Sequence, residues 1–260
     1  MNDETQPPAT ILSSLPEGYR ALVFGASGGI GAALVEALAR DPRCGKVHAA
    51  SRRPLAGPPG SAGSAGVERL AFSLEDEDSI AACVRSSAAA GPLHLVIVAT
   101  GVLHGDGMKP EKSWRAIDAL ALERALRINT IGPALIAKHA LDHLPRQGKA
   151  VFAALSARVG SIEDNRLGGW HAYRASKAAL NMVMKTCAIE LGRRNPAAAC
   201  VSLHPGTVAT PLSEPFRSGV ATHKLFEPEF SAASLLAVID GVRPEDSGRL
   251  LAWDGSRIPF

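Results

Sequence analysis

Apolar runs of two kinds alternate along this chain. Short blocks at 20–24, 46–50, 67–72, 93–100, 149–155, 199–203 and 250–252 read as strands. Between them, 32–40, 74–90, 120–144, 173–193 and 229–240 carry apolar residues at helical spacing. The block at 93–100 is apolar almost without a break, as a strand covered on both faces of a parallel sheet must be. The alternation predicts an α/β fold: a doubly wound parallel sheet with helices on both faces. No internal repeat or dividing linker interrupts it, so 20–260 reads as one domain behind an N-terminal extension, 1–19.

Interruptions sharpen this picture. Asn129 stands in the long apolar helix 120–144, just before Gly132-Pro133, which predicts a local bend with backbone groups to satisfy. Glycine and proline crowd 54–66, so that crossover is expected to be a mobile loop or a single turn. The stretch 207–230 contains Pro211, Pro215, Phe216, Gly219 and Phe226, which suits a lid over a substrate. Trp114 and Trp253 read as packing residues.

Composition then removes whole classes of function. With 46% hydrophobic and 20% charged residues, the chain is a folding one. Its 28 basic and 25 acidic side chains leave only +3, too balanced for a nucleic-acid or membrane surface. The first twenty residues lack a signal-peptide core, and no 18-residue apolar run follows, so a cytoplasmic protein is expected. Cys44, Cys83, Cys187 and Cys200 are isolated from one another, which argues for small buried hydrophobes rather than a disulfide or metal site.

Two motifs carry chemistry. Gly25, Gly28, Gly29 and Gly31 follow the first strand and open the first helix, where backbone N–H groups can approach a pyrophosphate. Ser27 lies in this turn, and Ile30 in its helical end. After the second strand there is no acid to accept from a ribose 2′-hydroxyl; Arg52 and Arg53 stand there instead and suit a 2′-phosphate. NADP is therefore expected over NAD. Tyr173 and Lys177 are four apart on one helical face, a spacing that lets an ammonium lower the phenol pKa for acid/base work. Ser156 follows the strand 149–155, at the carboxyl end where such sheets bind ligands.

Taken in order, Gly25-x-x-x-Gly29-x-Gly31, Asn129, Ser156, Tyr173-x-x-x-Lys177 and His204-Pro205-Gly206-Thr207-Val208 resemble the short-chain dehydrogenase/reductase family over about 20–255. The stretches 154–162 and 173–182 are similar to its C-factor and Sniffer-like branch, which contains carbonyl reductases and a bacterial developmental signalling protein. The resemblance implies a Rossmann-like fold and an NADP(H)-dependent oxidoreductase acting on a small carbonyl or alcohol. Tyr173 would then donate the proton, Ser156 would hydrogen-bond the carbonyl oxygen, Lys177 would meet the nicotinamide ribose, and Asn129 would hold a relay water. Ala99, Thr100 and Gly101 would lie beside the adenosine, Pro205, Gly206 and Val208 would shape the nicotinamide pocket, and Thr210 would reach the phosphates. It also implies a homodimer or homotetramer, built where 178–191, apolar nearly all round, meets a partner helix. The rival implication is a non-catalytic NAD(P)-binding sensor or signalling protein.

The chain also departs from the family pattern. Val98-Ala99-Thr100-Gly101 replaces Asn-Asn-Ala-Gly, Phe24 replaces a threonine, and Ser73 replaces an adenine-binding Asp, with Glu75 or Asp76 nearby. Ser156 stands 17 positions before Tyr173, so the intervening loop with Trp170 and His171 is expected to fold back as a wall of the substrate pocket.

Overall fold

Branched and small residues with no polar face build the centre of the molecule, because each of its strands must be covered twice. The computed structural model describes residues 12–52, 66–105, 107–215 and 225–260. In it, β1 (Tyr19–Phe24), β2 (Cys44–Ser51), β3 (Gly66–Ala71), β4 (Leu95–Val98), β5 (Ala150–Leu155), β6 (Ala198–His204) and β9 (Leu250–Ala252) form one parallel sheet. The short β10 (Arg257–Ile258) closes one edge in antiparallel sense. The strand order is β10-β9-β6-β5-β4-β1-β2-β3, which reverses direction between β1 and β4. Ligands of such sheets bind at that reversal, beyond the carboxyl ends of the strands.

Helices α1 (Gly29–Arg40) and α6 (Pro228–Gly241) bury their apolar stripes on one face of the sheet, through Leu34, Leu38, Leu235 and Ile239. On the other face lie α2 (Glu77–Ala88), α4 (Gly132–Ala140) and the 24-residue α5 (His171–Arg194), through Ile80, Ile136, Leu180 and Met184. Asp76 caps α2 by accepting from the Asp78 and Ser79 amides, the stabilising use of an acid at a helix start. Three of the four cysteines are buried and Cys187 is half-buried; all four are free thiols.

The predicted helix over 120–144 is in fact broken into pieces, the last a short 3-10 turn over Leu141–His143. The first is α3 (Ala119–Leu126), capped by Asp118. A π turn over Arg127–Ile131 follows, and then α4 with Pro133 in its first turn. The expected bend at Asn129 therefore takes the form of a widened turn, in which a backbone carbonyl loses its usual partner. Thr130 anchors this turn to α5 by donating to the Ser176 carbonyl at 2.7 Å.

Elsewhere, a small second sheet pairs β7 (Thr207–Val208) with β8 (Leu225–Phe226), an order that the breaker-rich sequence did not announce. Phe226 packs with Phe230 and Trp253, with ring centroids 4.6 to 5.8 Å apart, so Trp253 is the packing residue expected. Trp114 is not: it stands 67% exposed, with Arg115 over its ring, because the short turn that carries it points away from both core clusters. The expected mobile crossover at 54–65 lies outside the described residues, as do Phe216 and Gly219 of the expected lid. No helix among the described residues is long and apolar enough to cross a membrane.

Replacing the Thr130 hydroxyl by a methyl removes, at similar volume, a buried hydrogen bond that joins the π turn to α5. Thr130→Val is expected to cost about 1–3 kcal/mol, read from urea unfolding midpoints at unchanged slope.

Candidate active site

Four neighbouring strands present their carboxyl ends on the same side of the sheet. Gly25 follows β1, Ala99-Thr100-Gly101 follow β4, Ser156 follows β5, and Pro205-Gly206 follow β6. At Gly25 φ is +85°, and a Cβ there would come within 2.9 Å of the Ala99 carbonyl. At Gly31 a Cβ would lie only 2.1 Å from the Gly25 oxygen. Both sites exclude any side chain, which keeps the turn tight against α1. No side chain caps α1, whose N-cap is Gly28, so the N–H groups of its first turn remain available to an anion. Ile30, in that first turn, packs its side chain onto the sheet.

Thr210 comes to this turn from beyond β7: a Cβ on Gly29 would meet its methyl at 2.7 Å. The structure thus joins two predicted cofactor residues that are far apart in sequence. His104 Nε2 lies 3.1 Å from the carbonyls of both Pro211 and Leu212, holding the start of the predicted lid to the segment after β4. Gly206 has φ +79°, and a Cβ there would strike the Phe226 ring at 2.6 Å. Val208 is buried in β7, and Pro205 accepts a hydrogen bond from Ser231. Thr100 Oγ1 is buried and has no hydrogen-bond partner among the described residues. A glycine cradle, an open helix end and an orphaned hydroxyl together fit a dinucleotide. Ser27 and Arg52 are exposed at the ends of the neighbouring strands β1 and β2, which pair as far as Phe24 and Ala50. Arg53 lies outside the described residues.

Beside the cradle, the π turn and α5 face each other. Asn129 is completely buried. Its amide donates to the Val102 carbonyl at 2.9 Å and to Ser176 Oγ at 3.0 Å, and its carbonyl oxygen accepts from the Val102 N–H at 2.8 Å. Ser176 Oγ in turn donates to the Tyr173 carbonyl. Lys177 is 3% exposed; its ammonium donates to the Leu155 carbonyl at 2.8 Å and lies 5.7 Å from the centre of the Tyr173 ring. A Cβ on Gly101 would sit 3.5 Å from Asn129 Oδ1 and 3.7 Å from Lys177 Nζ, so this glycine keeps open the space above both.

Ser156 has a partner of its own within the protein. Its hydroxyl donates to Asn181 Oδ1 at 2.8 Å, and the Asn181 amide is directed to the Gly160 carbonyl. The hydroxyl proton is therefore directed along α5 rather than toward Tyr173.

Burial governs the charges. It raises the Tyr173 phenol from its ordinary 10.0 to about 12 and lowers the Lys177 ammonium from 10.5 to about 7. The rise at Tyr173 comes from burial alone, and the same burial moves Lys177 toward its neutral form.

Three residues of the site had little sequence signal. Ser176 and Asn181 sit inside the apolar helix, where a polar residue draws notice only once its partner is known. Glu111 is an acid in a loop, yet it is 4% exposed and receives the Ala172 N–H at the start of α5, at 3.1 and 3.3 Å. The loop before α5 does fold back as expected: Trp170 packs edge-on to Tyr173, centroids 6.3 Å apart.

A lysine neutral in the fold but charged when unfolded makes stability rise with pH between the two pKa values. The stability of the wild type relative to Lys177→Met is expected to be lowest below pH 7 and to rise between pH 7 and 10.5. Denaturant unfolding across that range checks the slope.

Comparison with known proteins places this architecture. The short chain dehydrogenase family profile matches residues 19–221. A Rhodococcus sp. (strain AD45) protein, 1-hydroxy-2-glutathionyl-2-methyl-3-butene dehydrogenase, is 37% identical over 155 residues, 60% of this chain and 66% of its own length. C-signal of Myxococcus xanthus is 35% identical over 144 residues, 55% of this chain and 81% of that protein. The NADPH-bound carbonyl reductase from chicken fatty liver superposes with a TM-score of 0.76 at 22% identity, over 95% of this chain and all of its own. With a parallel sheet, a glycine cradle at the carboxyl ends of its strands and a family match over residues 19–221, this chain belongs to the short-chain dehydrogenases.

Proposed function

We propose that this protein reduces a small-molecule carbonyl with NADPH, and that Tyr173 delivers the proton. The observation that carries the reading is the placement of Lys177 Nζ over the Tyr173 ring, 5.7 Å from its centre, within one turn of α5 and beside Gly101. A bound nicotinamide supplies the hydride. The protein's own part is then to hold the carbonyl oxygen and protonate it as negative charge develops.

Tyr173 suits that task in one direction above the other. A phenol raised to about 12 keeps its proton throughout the neutral range and is ready to give it away. Oxidation of an alcohol would need the phenolate, which burial disfavours. Lys177 would hold the ribose of the cofactor and, when protonated, attract the charge left on Tyr173. Asn129 would keep the π turn open for a relay water. Ser156 could donate to the carbonyl only by turning from Asn181, so Tyr173 carries the larger share.

Arg52, with Arg53 and Ser27, would bind the 2′-phosphate, in keeping with the NADPH of the chicken carbonyl reductase. The segment 207–230 would cover the substrate. Met182 and Ile189, the exposed apolar residues of α5, would pack on a second copy to give a dimer or tetramer. The likeness to C-signal supports a second reading, a nucleotide-binding signalling protein. The hydrogen-bonded Asn129, the buried Lys177 and the adjacent Tyr173 favour chemistry.

Turnover of NADPH with a panel of aldehydes and ketones tests the reading. Tyr173→Phe is expected to lower kcat by about 100-fold or more at unchanged NADPH affinity, and Ser156→Ala by less. Equal rates for Tyr173→Phe and wild type would point to the signalling reading. Separately, Arg52→Asp is expected to move the cofactor preference from NADP toward NAD, measured as the ratio of kcat/KM values.

A further inference from the structure

Helix α5 begins in an unusual way. Its N-cap is Trp170, at φ 52° and ψ 42°, and no side chain of its own first turn caps it. Trp170 is the only non-glycine residue with positive φ among those described. Gly168 and Gly169 before it are also left-handed, each at φ 65°. Three left-handed residues in succession form a turn that an L-amino acid resists, and the third of them is a large aromatic. Ser, Thr, Asp or Asn at position 170 would cap the helix without strain.

What holds this start in place comes from another part of the chain. Glu111, between β4 and α3, accepts the Ala172 N–H with both carboxylate oxygens, and its backbone carbonyl accepts the Trp170 N–H at 2.6 Å. Gly169 passes so close to that carbonyl that a Cβ would lie 3.1 Å away. Arg174 locks the same turn from the helix side, donating to the Gly169 and Val159 carbonyls. A carboxylate buried to this degree, with one N–H as its partner, is a costly way to cap a helix. Its position at the positive end of the helix offsets part of that cost.

The arrangement leaves the N-cap position free for an aromatic ring, and that ring stands against Tyr173. We infer that Glu111 is a positioning residue: by capping α5 from outside, it holds Trp170 in its left-handed conformation and fixes the phenol of Tyr173 against the substrate. This rests on the reading of Tyr173 as the proton donor. The same segment reaches the other wall of the site, since Val102 binds Asn129 in both directions. The stretch 102–111 therefore spans from the π turn to the first turn of α5.

The test compares Glu111→Ala and Glu111→Gln with wild type and Tyr173→Phe in full-length protein. It measures kcat and KM with the best carbonyl of the panel, NADPH dissociation by fluorescence, and thermal unfolding. Small misplacements of a reacting group cost up to about 100-fold, so Glu111→Ala is expected to lose roughly tenfold or more in kcat, with KM and NADPH affinity unchanged. Glu111→Gln retains an oxygen for the Ala172 N–H and is expected to recover most of the loss while remaining below wild type. A Glu111→Ala protein that melts earlier but turns over at the wild-type kcat would overturn the inference, as would a loss confined to KM. Should Glu111→Ala fail to fold, Glu111→Gln decides: a reduced kcat at unchanged KM supports the role, and a wild-type kcat refutes it. Full activity in Tyr173→Phe would instead refute the reading of Tyr173, so the two failures are distinguishable.

Discussion

The site depends on one junction, at Ser176. Its hydroxyl accepts from Asn129 and donates to the Tyr173 carbonyl, while its own carbonyl accepts from Thr130. A single residue between Tyr173 and Lys177 thus ties α5 to the π turn. The turn can stay wide because its polar groups end on α5 and on Val102, and α5 is held in register because the turn grips it. The next residue, Lys177, binds the Leu155 carbonyl and pins the same helix to the end of β5. These bonds are buried in whole or in part, so loosening one costs stability at the point where the tyrosine, the lysine and the asparagine are held together.

This tight enclosure also sets the chemistry. In water, an ammonium four residues from a phenol favours the phenolate. Here the enclosure that brings Tyr173 and Lys177 together strips both of solvent, so each shifts toward its neutral form. On the proposed reading, a neutral phenol beside a weakly basic amine would give up its proton as negative charge appears on a neighbouring oxygen. Burial, rather than the identity of the pair, thus sets the form in which each group rests.

Much of this was legible in the residues. The strand blocks carried their own signal because a doubly covered strand has no polar side to confuse it, and all seven parallel strands stand where the pattern placed them, to within a few residues. Asn129 announced a bend because an amide in an apolar helix needs partners. Spacing could not announce how a bond is directed: Ser156 sits at the predicted strand end, yet its proton goes to Asn181. Nor could it show that a glutamate in the loop at position 111 caps a helix sixty residues away, since the pairing is made by backbone N–H groups that every residue has. Trp114 misled because an aromatic is a good core residue only where a core lies beneath it.

With two tyrosines in the chain, the protonation of Tyr173 can be followed directly. Tyr19, whose hydroxyl donates to Asp41, is removed as Tyr19→Phe, and the ionisation of the remaining phenol is followed by ultraviolet difference titration of the cofactor-free protein. The account predicts that Tyr173 stays protonated past pH 10 and ionises near 12. Phenolate appearing well below pH 10 would show that Lys177 commands the tyrosine after all, and would contradict the account of Tyr173 as a proton donor held neutral by burial.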